Sequence, residues 1–71
     1  MKYIVIELQT DAAGNVANIV HQYDSLSAAE SAYYSILSAA AISSVPIHSA
    51  VVMDSEGMPV YFHSFKHVEV S

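Results

Sequence analysis

The chain has 71 residues, 54% apolar and 13% charged, with no cysteine and a formal charge of −5; this length suits one domain, and a disulfide framework, a thiolate metal site and a cysteine nucleophile are excluded. Its only cations are Lys2 and Lys66, too few to replace the counterions of a DNA or RNA polymer or to hold an anionic membrane surface. A chain this short buries only about 60% of the surface its unfolded form exposes, so its apolar content predicts greasy side chains on the outside of a lone copy and an interface to cover them.

Lys2 to Thr10 reads as a strand. Ile4, Ile6 and Leu8 fall on one face by period two, and Tyr3, Val5 and Glu7 on the other. Apolar groups on both faces predict a central strand. The opening residues carry one lysine and a short apolar run broken by Glu7, unlike a signal peptide. No run approaches the roughly 20 apolar residues of a membrane-spanning helix. The expected location is cytoplasmic, with no membrane partner.

Asp11-Ala12-Ala13-Gly14-Asn15 reads as a turn, because Gly and Asn tolerate positive φ and Asp can bond its own backbone. A second strand then runs from about Val16 to Tyr23, with Val16 and Val20 opposing Ile19, His21 and Tyr23. The loop length predicts a hairpin with the first strand.

A helix starts within Asp24 to Glu30. Ser27 and Glu30 have capping-box spacing. Leu26, Ala29, Tyr33, Ile36, Leu37 and Ala40 make an apolar stripe at helical spacing, while Ser31, Ser35 and Ser38 lie mostly away from it. Pro46 disfavours helix just before it. A third strand runs from Pro46 or Ile47 to Met53, and a second turn spans Asp54 to Pro59. The fourth strand runs from about Val60 to Lys66 or beyond. Tyr61, His63, Phe65 and His67 share one of its faces, and Val60, Phe62 and Ser64 the other.

The predicted fold is α+β, in the order β-β-α-β-β, as a single domain over residues 1–71: a four-stranded, mainly antiparallel sheet with one helix packed on one face. The two hairpin halves do not align, so no repeat is expected. The uncovered face is expected to hold Tyr3, Val5 and residues of the last two strands. A wet antiparallel face should be polar, and this one is not. A homo-oligomer is therefore expected, by stacked faces or joined sheet edges.

Residues that could carry chemistry are few. His63 and His67 are four apart, but on a strand that spacing spans roughly 13 Å, which makes no joint metal site. His21 and His48 lie on different elements, and the histidines are expected to cap strand ends or line an interface. No metal and no cofactor is expected. The serines suit caps, turns and a solvated helix side, and no G-x-S-x-G elbow is present. Glu7 lies inside a strand and is expected to face solvent or an interface. Gly14 and Gly57 are isolated in turns and make no phosphate loop. Tyr33 and Tyr34 are adjacent on the helix, about 100° apart around its axis, with Tyr34 turned partly outward. Tyr3, Tyr23 and Tyr61 add further rings suited to interfaces. No nucleophile–base set assembles, so the chain is not expected to be an enzyme.

The stretch Ala29-Glu30-Ser31-x-Tyr33-x-Ser35-x-Leu37-x-Ala39-Ala40-Ala41, followed by Pro46-x-His48-x-Ala50-Val51, resembles a set of very small proteins of Clostridia-type bacteria and their phages and prophages. The opening Tyr3-Ile4-Val5-Ile6-Glu7 and the turn Asp11-x-x-Gly14 fit the same pattern. The resemblance covers nearly the whole chain and implies a phage or prophage setting, hence a host cytoplasm. Phages encode small oligomeric sponges that sequester the nucleotide second messengers of bacterial immunity, and the chain is similar to them in size and in lacking a catalytic motif. That likeness implies an anti-defence sponge that binds a nucleotide-derived signal in pockets between subunits. Its candidate contacts are Tyr33, Tyr34, His48 and Tyr61, with Lys2 or Lys66 near phosphate. The competing expectation is a structural or adaptor protein that binds itself, or a phage or host protein, through its apolar sheet face.

Overall fold

Two turns of the same build close the chain's two hairpins. In a computed structural model that describes residues 1–67, the Asp11 N–H donates to the Asn15 carbonyl (3.0 Å) and the Gly14 N–H to the Asp11 carbonyl (3.1 Å). Oδ1 of Asp11 accepts from the N–H groups of Ala13 and Asn15, both at 2.9 Å. Asp54 repeats the pattern. Its N–H donates to Met58 and its carbonyl accepts from Gly57, while its Oδ1 accepts from Glu56 and Met58. Gly14 and Gly57 sit at φ 88° and 86°, the left-handed position that ends a three-residue hairpin loop. No repeat was expected in the sequence, yet the D-x-x-G shared by residues 11–14 and 54–57 is one, confined to the turns.

The four strands are β1 (Tyr3–Thr10), β2 (Val16–Tyr23), β3 (Ile47–Asp54) and β4 (Pro59–Lys66), with one helix, α1 (Leu26–Ala41), between β2 and β3. The sheet order is β2-β1-β3-β4 and all neighbours are antiparallel. The β-β-α-β-β order and the central place of β1 follow the sequence reading. Any part of β4 expected beyond residue 67 lies outside the described residues.

The helix cap lies two residues earlier than expected. Ser25, in extended conformation, is the N-cap, and its Oγ accepts from the Ala28 N–H at 3.2 Å. Ser27 lies inside the first turn and forms no capping box with Glu30. The reason is register: β2 stays paired as far as Tyr23, opposite Tyr3, which leaves only Asp24 and Ser25 to turn the chain.

Directly opposed residues of antiparallel strands project to the same side. One side of the sheet therefore carries Tyr3, Val5, Glu7 and Gln9 of β1 with Ala50, Val52 and His48 of β3. The helix packs on this side. The core is Val5, Val52, Ala50, Ala29 and Tyr33, each buried, with Tyr3, Tyr23, Ile36, Leu37 and Tyr61 packed around it. Burying Val5 and Val52 contributes roughly 1.5–3 kcal/mol each. Ala29, Ala40 and Ala50 are fully buried and small, which lets helix and sheet approach closely.

This corrects the expected uncovered face. Tyr3 and Val5 lie under the helix, and the open side carries Ile4, Ile6, Leu8, Val16, Val20, Ile47, Val51, Met53 and Phe62. Period two separates the faces of a strand without saying which one is covered. Polar residues are tolerated under the helix because they bond one another.

Candidate functional site

Three places could carry function: a polar pair under the helix, a cluster of tyrosines beside it, and the open face of the sheet. The polar pair comes from β1 and β3. Because Glu7 and Gln9 are two apart on one strand, both project to the helix side, where His48 stands opposite Gln9. Glu7 Oε2 lies 2.6 Å from His48 Nε2 and accepts from Gln9 Nε2 at 2.9 Å. His48 is only 4% exposed, and its Nδ1 is buried with no hydrogen-bond partner.

Burial pushes the Glu7 carboxyl up, but the hydrogen bonds from His48 and Gln9, with the attraction of His48 and His21, outweigh it and hold Glu7 below its ordinary value. Of the two placements expected for Glu7, solvent or an interface, the solvent-facing one is corrected: the side chain is largely buried and its Oε2 meets both His48 and Gln9. His48 likewise neither caps a strand end nor lines an outer surface. Sequence reasoning missed this pair because His48 meets Glu7 only once β1 and β3 are known to be neighbours. The available signal was two polar residues, Glu7 and Gln9, on one side of an otherwise apolar strand. No hydroxyl nucleophile contacts the pair among the described hydrogen bonds, so the geometry is that of a buried polar brace.

The tyrosines meet where α1 crosses β4. Tyr33 stacks on Tyr61 with ring centroids 5.8 Å apart and meets Tyr34 edge-on at 5.3 Å. Burial, with Tyr34 adding, raises the Tyr33 hydroxyl above its ordinary value. The charge of Glu30, which also takes a hydrogen bond from Tyr61, raises the Tyr61 hydroxyl, with burial and Tyr34 contributing less. Tyr33 is 4% exposed and Tyr34 56%. Only Tyr34 and the rim of Tyr61 are thus open to a flat ligand, and the carboxylate of Glu30 stands beside them.

The structure brings Tyr33, Tyr34 and Tyr61 together and leaves the other candidate contacts apart. Tyr61 pairs with Val52 and His48 with Phe65, four residues along the strand and roughly 13 Å away. Lys2 precedes Tyr3 at one end of the sheet and forms an exposed ion pair with Asp24, which contributes little in water. Lys66 pairs with Ile47 at the other end, roughly 23 Å off. One chain therefore does not gather all six around a single ligand.

His63 and His67 also lie apart along one side of β4. His63 meets Phe65 edge-on at 4.7 Å, and His67 stacks on the far side of Phe65 at 6.2 Å and reaches the Ala40 carbonyl through Nε2 at 2.7 Å. Among the described residues no three His, Asp or Glu side chains converge, and no helix is long and apolar enough to cross a membrane.

Two open hollows of about 430 and 400 Å³ flank Pro46, at the end of the sheet holding the Asp11 turn. Neither contains any of the six candidate contacts. Asp11 borders both, but its carboxylate is already spent on Ala13 and Asn15. The third place is the open sheet face, where Val16 is 57%, Val20 53% and Phe62 74% exposed. Comparison with protein-family models, with curated proteins and with solved structures finds no match to this chain.

Proposed function

We propose that the chain is a non-enzymatic, self-associating binding protein, and that the open side of its sheet is the surface by which two copies meet. The observation that carries this reading is the composition of that side. Ile4, Ile6 and Leu8 are flanked by Val16 and Val20 on β2 and by Ile47, Val51, Met53 and Phe62 on β3 and β4. The polar groups among them are Thr10, Asn18, Gln22, Ser49 and Ser64, and the one charge is Lys66 at the end. Every described carboxylate belongs to a turn, to the helix or to the helix side of the sheet.

Charge favours a second copy as occupant. A −5 chain can stack this side on itself without placing two carboxylates in contact, and its outer charges are screened beyond about 8–10 Å. Area agrees. Four strands about 4.8 Å apart, each eight residues of about 3.4 Å, cover roughly 500 Å² in projection. Two copies then bury on the order of 1,000 Å², which reaches the smaller specific interfaces. The test is a sample mixed from isotope-labelled and unlabelled chains. Cross-chain contacts between methyl groups of Ile4, Ile6 and Val51 are expected, and their absence from an otherwise folded sample rejects the reading.

Exposed Tyr34, braced edge-on by Tyr33, favours a second reading: a sponge for a nucleotide-derived signal, with Tyr34 and Tyr61 as stacking surface in a pocket completed by another subunit. Against it stand Glu30 and the net charge, which repel phosphate. Titration calorimetry with cyclic ADP-ribose variants and cyclic dinucleotides decides it. Heat that disappears in Tyr34→Ala supports the sponge; no heat from the assembled protein removes it. In the phage setting that the resemblance implies, either activity belongs in the host cytoplasm.

A further inference from the structure

The two edges of the sheet are not equivalent. β4 carries the usual obstacles to pairing: Pro59, a bulge beside Val52 and Met53, and the charged Lys66. β2, with the sequence VANIVHQY, carries no proline, no bulge and no Asp, Glu, Lys or Arg. All of its residues before Tyr23 are exposed. An eight-residue edge without a blocking device is a template for another strand.

Hydrogen-bond phase fixes which groups this edge offers. The Asp11 N–H donates to Asn15, so residues 11 and 15 are a bonded pair. Bonded and non-bonded pairs alternate along an antiparallel ladder. Ala17, Ile19, His21 and Tyr23 therefore bond inward to β1, and Val16, Asn18, Val20 and Gln22 turn their N–H and C=O groups outward. The Asp54–Met58 bond at the other hairpin is in phase with this assignment across β1 and β3.

We propose that β2 pairs antiparallel with β2 of a second copy, about a two-fold axis through Ile19, to make one continuous eight-stranded sheet. This register engages all four outward residues: Val16 faces the partner's Gln22 and Asn18 the partner's Val20, in both directions. Moving the axis by one residue, to Asn18 or Val20, leaves at least one outward residue without a partner. On the helix side Ile19, 47% exposed, meets the partner's Ile19, and Ala17 meets the partner's His21. No Asp, Glu, Lys or Arg enters the seam, which suits a strongly acidic chain. Joined this way, the open faces of both copies lie side by side and double the apolar surface available for stacking. The inference rests on the reading of the chain as self-associating, but it uses the strand's edge where that reading uses the sheet's face.

The test is residue-resolved amide hydrogen exchange on the intact chain, with sedimentation on the same sample. Slowing of the Asn18 and Val20 amides by at least about 100-fold relative to unstructured rates is expected. Ile19→Lys sets like charges against each other in the seam and is expected to return those amides to fast exchange, while the Val5 amide stays protected. Phe62→Glu, on the face and away from the seam, is expected to leave them slow. Fast Asn18 and Val20 amides in a chain that still sediments as an assembly overturn the edge pairing and leave face stacking intact. Slow amides that Ile19→Lys does not change also overturn it. A monomer with fast amides overturns both.

Discussion

The side of the sheet that the helix covers carries Glu7, His21, His48, Asp54 and His63, whereas Lys66 is the one Asp, Glu, His, Lys or Arg on the described open side. Under or beside the helix lie Glu7, Gln9, His48, His21 and His63; on the open side lie Ile4, Ile6, Leu8, Val51, Met53 and Phe62. A half-wet antiparallel sheet usually shows the reverse. The difference teaches that the covered side is held by a few small, tightly fitted residues and a hydrogen-bonded polar pair. The open side holds aliphatic surface in reserve. On the proposed reading, burial within one chain and burial between chains are separate problems, met on opposite sides of one sheet.

The largest expected effect breaks the covered side. Tyr33→Ala removes the ring that fills the space between Ala29, Val52 and Tyr61 and should cost about 3 kcal/mol in chemical denaturation. Next comes the open side. Phe62→Glu should weaken self-association at least about tenfold, near 1.4 kcal/mol, while moving the stability of one chain by under about 0.5 kcal/mol. Sedimentation and denaturation on the same sample separate the two effects, and a variant that loses stability and association together would show that the two sides are not independent. A smaller effect sharpens the helix entry that sets α1 on its side: Ser25→Ala should cost about 1 kcal/mol and Ser27→Ala less than about 0.5.

The smallest effect probes the polar pair. The folded value of Glu7 lies below its ordinary value of 4.5. Its contribution is therefore complete above pH 4.5 and is lost as pH falls through the folded value. Glu7→Gln should flatten that acid limb of a stability–pH profile, and an unchanged limb would assign it to Asp11 or Asp24, whose carboxyls are also held low by hydrogen bonds.

The elements were legible in the sequence because each has a local cause. D-x-x-G sets both turns, period two sets the strands, and the stripe from Leu26 to Ala40 sets the helix. The covered side was not legible. Ile4, Ile6 and Leu8 look more like core than Tyr3, Val5 and Glu7, and only the β1–β3 register shows that Ala50 and Val52 make the shallow floor that Tyr33 needs. The same register joins Glu7 to His48 across 41 positions of sequence, a distance that no local pattern spans. The cap shifted from Ser27 to Ser25 for a related reason: the length of β2 is set by its partner. Of the candidate contacts, adjacency and helical geometry placed Tyr33 and Tyr34 together. Nothing local could have told that Tyr61 joins them or that Lys2 and Lys66 stand at opposite ends.

The central claim is that the open side of the sheet exists to be covered by another copy. Sedimentation equilibrium of the unaltered chain, diluted through the micromolar range, tests it most directly. The account expects a particle of at least two chains that falls apart only on dilution. A particle with the mass of one chain at every concentration, folded and stable with Ile6, Val51 and Phe62 in water, would contradict it.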